Sequence, residues 1–78
     1  MLSYDEVLKN VLFKASRPDG YNGKRVVVGI ALIRDAVIEV SEQGYYRCPA
    51  VSYATDAEEV LWLFQNHPNF REYKLKED

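Results

Sequence analysis

Cys48 and His67 are the only thiol and the only imidazole in this 78-residue chain, which makes them the first candidates for catalysis. A histidine that accepts the proton of a cysteine can create a nucleophile, provided that a carboxylate orients the imidazole ring. The two residues lie far apart in the sequence, and neither is surrounded by a catalytic motif. His67 precedes Pro68 at the end of a helical pattern, where a histidine commonly caps the helix. We therefore favour the capping interpretation and predict no enzyme and no catalytic residues.

Metal and cofactor sites find equally little support. A zinc site needs about four nitrogen or sulfur ligands, and one cysteine with one histidine cannot supply them. The stretch PDGYNGKR offers Gly20, Gly23 and Lys24, but a phosphate-binding loop requires a different spacing and a helix after it. Proline, aspartate, asparagine and glycine in this order are typical of two consecutive turns. We predict no metal and no cofactor.

The same loop is basic, which raises an alternative function. Arg17, Lys24 and Arg25 could contact phosphates while Tyr21 stacks on an unpaired base, as in proteins that bind single-stranded nucleic acid. Acids outnumber bases over residues 26–70, however, and the net charge of the chain is −2. Such a balance gives no general attraction to nucleic acid or to an anionic membrane. Single-stranded nucleic-acid binding is therefore the second hypothesis.

Protein binding is the leading hypothesis, and it rests on aromatic residues. In DAEEVLWLFQNHP, a period of 100° per residue places Val60, Leu61 and Phe64 on one face and Trp62 nearly opposite. Three covers for Trp62 are open: the segment 69–71, the other helix, or another chain. Tryptophan and tyrosine dominate binding hot spots. The predicted partner-binding residues are Phe13, Trp62, Tyr45, Tyr46 and Arg47, with Glu58 and Glu59 as an acidic rim.

The elements that must position these residues follow from caps and periodicity. Ser3 and Glu6 form a capping box, and an apolar stripe from Tyr4 to Ala15 predicts a first helix with Phe13 on its back. Residues 16–25 form a loop, and RVVVGIALI then predicts a strand covered on both faces. A second capping box, Thr55 with Glu58, begins a helix that Pro68 ends.

The middle of the chain allows two interpretations. Residues 29–43 either form a hairpin that turns at Arg34 and Asp35 or a single helix that ends at Gly44. The density of valine and isoleucine favours the hairpin. YYRCPAVSY then predicts a third strand, which Pro49 restricts to a sheet edge or a bulge. FREYKL predicts a last short strand, and residues 76–78 a frayed tail.

Together these elements predict one α+β domain over residues 1–78, in the order α-β-β-β-α-β. It has a small, mostly antiparallel sheet of three to four strands and two helices. If both helices lie on one face, a homodimer or another partner must cover the other face. A single cysteine and an N-terminus without a long apolar run predict a cytoplasmic protein without a membrane segment. We expect a non-catalytic regulator, adaptor or inhibitor that binds another protein.

Overall fold

One antiparallel sheet carries a helix on each of its faces. The computed structural model describes residues 2–20, 23–48, 51 and 53–76. The elements in chain order are α1 (Tyr4–Lys9), β1 (Val11–Pro18), β2 (Arg25–Ile33), β3 (Ala36–Ser41), β4 (Gly44–Arg47), α2 (Ala57–Asn66), a 3₁₀ turn (Pro68–Phe70) and β5 (Lys74–Leu75). The strand order is β4-β3-β2-β1-β5, and every neighbouring pair is antiparallel. The predicted α+β class is confirmed, although the sheet has five strands and not three or four.

The additional strand is β1, which occupies residues 11–15 of the predicted first helix and residues 16–18 of the predicted loop. Helix α1 begins as predicted, with the Ser3 hydroxyl accepting a hydrogen bond from the Glu6 N–H. It ends at Lys9, and the C-cap residue Asn10 donates a hydrogen bond from its side-chain amide to the Glu6 carbonyl at 2.8 Å. The residues that follow pair with the long strand β2. The predicted helix was too long because VLFKAS satisfies a helical stripe and a strand alternation equally well.

The hairpin predicted for residues 29–43 is confirmed, and the helical alternative is excluded. Strands β2 and β3 pair from Gly29 with Val40 to Ile33 with Ala36. Arg34 and Asp35 form the turn and both have positive φ, at 49° and 68°. Two consecutive residues of this kind define a type I′ turn, whose twist matches that of the flanking strands. The β-branched residues of both strands therefore override the helical pattern.

Arg34 and Asp35 are not the residues that this turn prefers, which makes the turn a site for stabilisation. A side chain at positive φ costs on the order of 1 kcal/mol, and asparagine followed by glycine relieves most of this cost. The double substitution Arg34→Asn and Asp35→Gly should raise the free energy of unfolding by about 1 kcal/mol. Urea denaturation measures this change, and a decrease would contradict the assignment of the turn.

Two separate clusters of buried side chains lie on the two faces of the sheet. Val60 and Phe64 of α2 pack against Val28 and Ile30 on one face. Val7 of α1 packs on the other face. The full second cluster comprises Val7, Ala31, Ile38 and Val40. Each helix thus covers one face, and the alternative in which both helices lie on one face does not occur.

Helix α2 begins one residue later than the predicted capping box implies. Asp56 is the N-cap, and its carboxylate accepts a hydrogen bond from the Glu59 N–H at 2.8 Å. The carboxylate of Glu59, and not that of Glu58, reaches back to the Thr55 N–H at 2.8 Å. His67 is the C-cap, as predicted, and its Nδ1 accepts from the Asn69 N–H at 3.1 Å.

The third predicted strand and the predicted C-terminal tail both differ from expectation. The third predicted strand ends at Arg47, and it lies at a sheet edge. Pro49, the reason for expecting an edge or a bulge, lies outside the described residues. Lys76 was predicted to fray, but its N–H donates to the Lys14 carbonyl at 2.9 Å and extends the pairing of β5. The rest of the predicted tail, residues 77–78, also lies outside the described residues.

Candidate functional site

The outer face of α2 presents Leu61 and Trp62 to solvent. Trp62 is 57% exposed, and Leu61 is 40% exposed. Val60 and Phe64 point into the sheet, and Leu63 packs at the margin of the same cluster. Trp62 therefore lies opposite the buried face, as predicted, whereas the predicted burial of Leu61 is wrong. The buried stripe is rotated towards Leu63, which leaves two large apolar side chains adjacent on the outer face.

Neither intramolecular cover that the sequence allows lies over Trp62. Helices α1 and α2 lie on opposite faces of the sheet, so α1 does not reach it. Phe70, from the segment that could fold back, is buried and stacks on Phe64 with the ring centroids 4.0 Å apart. Since Phe64 and Trp62 point in nearly opposite directions from α2, this contact turns Phe70 away from Trp62.

Phe13 is not part of this surface. It was predicted on the back of a helix, but it lies in β1 and packs edge to face against Phe64 with centroids 5.2 Å apart. Because side chains alternate along a strand, Phe13 points to the same face as buried Ala15. The prediction that Phe13 projects from a helix is wrong, because that helix ends at Lys9.

Acidic side chains lie on the N-terminal side of the exposed pair on α2. Asp56, Glu58 and Glu59 lie in the cap and first turn of the helix, and its last turn contains no basic residue. Glu59 also accepts a hydrogen bond from the Thr55 hydroxyl. The hydrogen bonds from Thr55 lower the pKa of the Glu59 carboxyl below its ordinary value. Glu59 therefore stays ionised, and the α2 face is an apolar pair beside negative charge.

Tyr45, Tyr46 and Arg47 lie elsewhere, on the edge strand β4. The two rings point to opposite faces of the sheet, as predicted from their adjacency. The Tyr45 hydroxyl donates to the Leu2 carbonyl on the α1 side. The Tyr46 hydroxyl accepts from Arg17 Nη2 at 3.1 Å. Apart from Phe13, which lies in β1, the predicted partner-binding residues thus fall into two groups, one on α2 and one on β4.

An ion pair that was not predicted from the sequence lies on the α2 side of the sheet. The Glu39 side chain is 1% exposed, and its Oε1 lies 2.6 Å from Nε of Arg17. Its Oε2 accepts a hydrogen bond from the Tyr73 hydroxyl at 2.9 Å. The signal in the sequence is an acid in a strand that is apolar on both faces, since such a residue has no solvated side to occupy.

The groups around Glu39 have perturbed proton affinities. Burial raises the pKa of the Tyr73 hydroxyl above its ordinary value, and the neighbouring Cys48 and Glu39 raise it further. The hydrogen bond to Glu39 raises the pKa of the Arg17 guanidinium. Burial also raises the pKa of Tyr46. Each shift preserves the protonated donor that faces the carboxylate, so the cluster serves to hold Glu39 in place.

The raised pKa of Tyr73 predicts a loss of stability in alkali. In the unfolded chain a tyrosine ionises at a pH of about 10, whereas folded Tyr73 stays protonated above it. The unfolded state thus binds fewer protons, and the free energy of unfolding should fall as the pH rises above about 10. In the Tyr73→Phe variant the free energy of unfolding should fall less steeply with pH. Chemical denaturation at several pH values measures the slope for each protein. Identical slopes would contradict the role assigned to Tyr73.

The structure gives Cys48 and His67 different neighbours. Cys48 is buried, with its Sγ 4.0 Å from the Tyr73 hydroxyl. The His67 ring lies against Phe70, and its Nδ1 already accepts a backbone hydrogen bond. Within the described ranges, no three histidine, cysteine, aspartate or glutamate side chains converge as metal ligands. These contacts are typical of a thiol in the core, for Cys48, and of a residue that caps a helix, for His67.

Several of the residues proposed to bind nucleic acid make contacts within the protein. Arg17 pairs with Glu39. Arg25 donates to the Ser16 hydroxyl at 3.1 Å and to the Glu72 carbonyl at 2.8 Å. Lys24 is exposed, and its backbone carbonyl accepts from the Asp19 N–H. Tyr21 lies outside the described residues. The hypothesis stays a prediction, and both of its arginines bind groups within the fold.

Neither helix in the described part of the chain is long and apolar enough to span a membrane. Comparison with models of known protein families, with curated proteins and with solved structures found no significant match.

Proposed function

We propose that this chain is a non-catalytic protein-binding module that regulates, adapts or inhibits another protein through the outer face of α2. The observation that carries the proposal is the exposure of Trp62, which is 57% accessible on a helix whose other face is buried. Within the described residues, no aromatic ring stacks on it. Its backbone carbonyl accepts a hydrogen bond from the Asn66 side-chain amide at 3.0 Å.

The energetic support comes from the size of the apolar side chains left in water. Full burial of a large apolar side chain contributes on the order of 2–3 kcal/mol, and Trp62 and Leu61 keep much of this unrealised. A partner that covers both recovers that free energy. Tryptophan near the centre of an interface is also the residue whose removal most often weakens binding severely.

The charge around Trp62 indicates the chemistry of the partner. The first turn of α2 is acidic, and its last turn has no base to balance it. A complementary surface is an apolar groove that accepts the two side chains and has lysine or arginine at its rim. Charge at the rim mainly accelerates association, so the association rate should fall as salt is added.

The compartment proposed for this function is the cytoplasm. Cys48 is buried, and as the only cysteine of the chain it cannot form a disulfide bond within it. Small domains of secreted proteins usually rely on disulfides for stability, whereas reducing compartments keep thiols free. A reducing environment is therefore consistent with the way in which this chain uses its only cysteine.

The proposal is tested by purifying the tagged chain with its partners from the native host, in three versions. Trp62→Ala removes the exposed ring, whereas Gln65→Ala changes an exposed neighbour on the same helix. For each partner identified, we expect the affinity of Trp62→Ala to be lower by about thirtyfold or more, the effect of a hot-spot residue. Gln65→Ala should bind as the wild type does. Partners that bind all three versions equally would contradict the proposal.

A further inference from the structure

The outer edge of β4 presents backbone groups that pair with no other strand among the described residues. The N–H of Cys48 donates to the Val37 carbonyl at 2.8 Å, so residue 48 directs its backbone towards β3. Hydrogen-bonding direction alternates along an antiparallel strand. Tyr46 therefore also faces β3, while Tyr45 and Arg47 direct their N–H and C=O groups away from the sheet. Since β4 is the last strand of the sheet order, these groups form an open edge.

The opposite edge of the sheet is better protected. Strand β5 pairs with Ala15 and Ser16, and the N–H of Lys76 continues this pairing to Lys14. The register of β1 shifts between Val11 and Phe13, and an irregularity of this kind discourages pairing with a further strand. By contrast, β4 keeps a regular register along its whole length. The edge suited to accept another strand is that of β4.

An apolar pocket lies beside this edge, on the face of the sheet that α1 covers. It has a volume of about 320 Å³. Two arginines, Arg34 and Arg47, also line it. Its apolar lining residues are Leu2, Ile33, Ala36, Ile38 and Tyr45. If a further strand bound along β4, every second side chain of that strand would point to the face that α1 covers, where the pocket lies.

The two arginines indicate which partner fits. Neither forms an ion pair or a side-chain hydrogen bond with another described residue, and both are exposed. An edge strand with free positive charge resists pairing with a second copy of itself, because like charges would meet across the two strands. It favours a strand that brings carboxylates. A second copy is therefore the less suitable occupant.

We infer that the edge of β4 binds an extended acidic segment of another protein, which adds a sixth strand to the sheet. One apolar side chain of the segment enters the pocket, and carboxylates two residues to either side of it meet Arg34 and Arg47. The backbone groups of Tyr45 and Arg47 supply the hydrogen bonds. This surface does not involve α2, so it goes beyond the function proposed above and is tested separately.

The test uses a blocked heptapeptide with isoleucine at its centre, glutamate two positions to each side and threonine elsewhere. The control peptide has lysine in place of both glutamates. Binding is followed by NMR through the amide shifts of Tyr45 and Arg47 and their protection from hydrogen exchange. Arg47→Gln removes the positive charge and keeps the backbone N–H of residue 47. Arg47→Pro removes both the charge and this N–H, and it leaves the hydrogen bond from the Cys48 N–H to β3 intact. Each variant is first checked for an unchanged spectrum elsewhere.

We expect the acidic peptide to shift and protect both amides, also in the Trp62→Ala variant. Arg34→Gln combined with Arg47→Gln should weaken binding by roughly tenfold, as expected for two exposed ion pairs. Arg47→Pro should bind more weakly than Arg47→Gln. Equal affinity for the lysine peptide would overturn the inference, as would unchanged amides at about 1 mM acidic peptide. Shifts of the same amides with protein concentration alone would overturn it in favour of a second copy.

Discussion

Replacement of Arg17 by alanine should lower the free energy of unfolding by about 2–4 kcal/mol. The substitution leaves the Glu39 carboxylate buried at 1% exposure without its cation, while the Tyr73 hydroxyl still donates to it at 2.9 Å. A buried charge that loses its partner retains its full desolvation penalty. The Arg17 side chain is 29% exposed, so water reaches its position and limits the loss. Urea denaturation of the two proteins measures the difference.

A double substitution separates the burial of charge from the loss of contacts. Arg17→Met together with Glu39→Leu removes both charges and keeps most of the side-chain volume. Such replacements of a buried pair are often neutral or stabilising. The free energy of unfolding of the double variant should therefore be close to that of the wild type and well above that of Arg17→Ala. If the double variant were as unstable as the single one, packing and hydrogen bonds of Arg17, and not the unpaired carboxylate, would explain the loss.

Replacement of Phe64 by alanine should cost about 3–5 kcal/mol, the largest loss expected for a single residue of α2. Phe64 stacks on Phe70 with centroids 4.0 Å apart. It also meets Phe13 at 5.2 Å and Tyr73 at 5.3 Å in edge-to-face contacts. Its removal leaves a cavity at the point where α2, β1 and the C-terminal segment meet. Thermal or urea denaturation measures the loss.

Trp62 provides the matched comparison, because it is a larger ring two residues away on the same helix. Its side chain is 57% exposed and so has less packing to lose than buried Phe64, and alanine has the higher helix propensity. Trp62→Ala should therefore lower the free energy of unfolding by no more than about 1 kcal/mol, well below the loss for Phe64→Ala. A loss as large as that of Phe64→Ala would show that Trp62 supports the fold, and the proposed docking face would have to be abandoned.

The fold could be predicted where local and tertiary preferences agree. The valine and isoleucine residues of β2 and β3 indicated the hairpin, and Pro68 indicated the end of α2. The prediction failed at β1, where the residues after Lys9 satisfy two periodicities. There the choice depends on pairing with β2, a contact between segments that no local pattern contains. This error also placed Phe13 on a helix that ends before it.

The candidate site could be predicted only in part, for the same reason. Helical periodicity alone indicates that Trp62 opposes Phe64, so its exposure follows from one segment. The environment of Glu39 depends on Arg17 and Tyr73, which come from distant parts of the chain. An acid in an apolar strand indicates a buried charge, but only the strand order reveals its partners. The open edge of β4 likewise requires the order of the whole sheet.

The central claim is that the isolated chain leaves a large ring of α2 in water. Trp62 is the only tryptophan, so acrylamide quenching of the intrinsic tryptophan fluorescence reports on this ring alone. We predict efficient quenching and a red-shifted emission at dilutions where the chain is monomeric. A blue-shifted emission that resists quenching under the same conditions would contradict the claim.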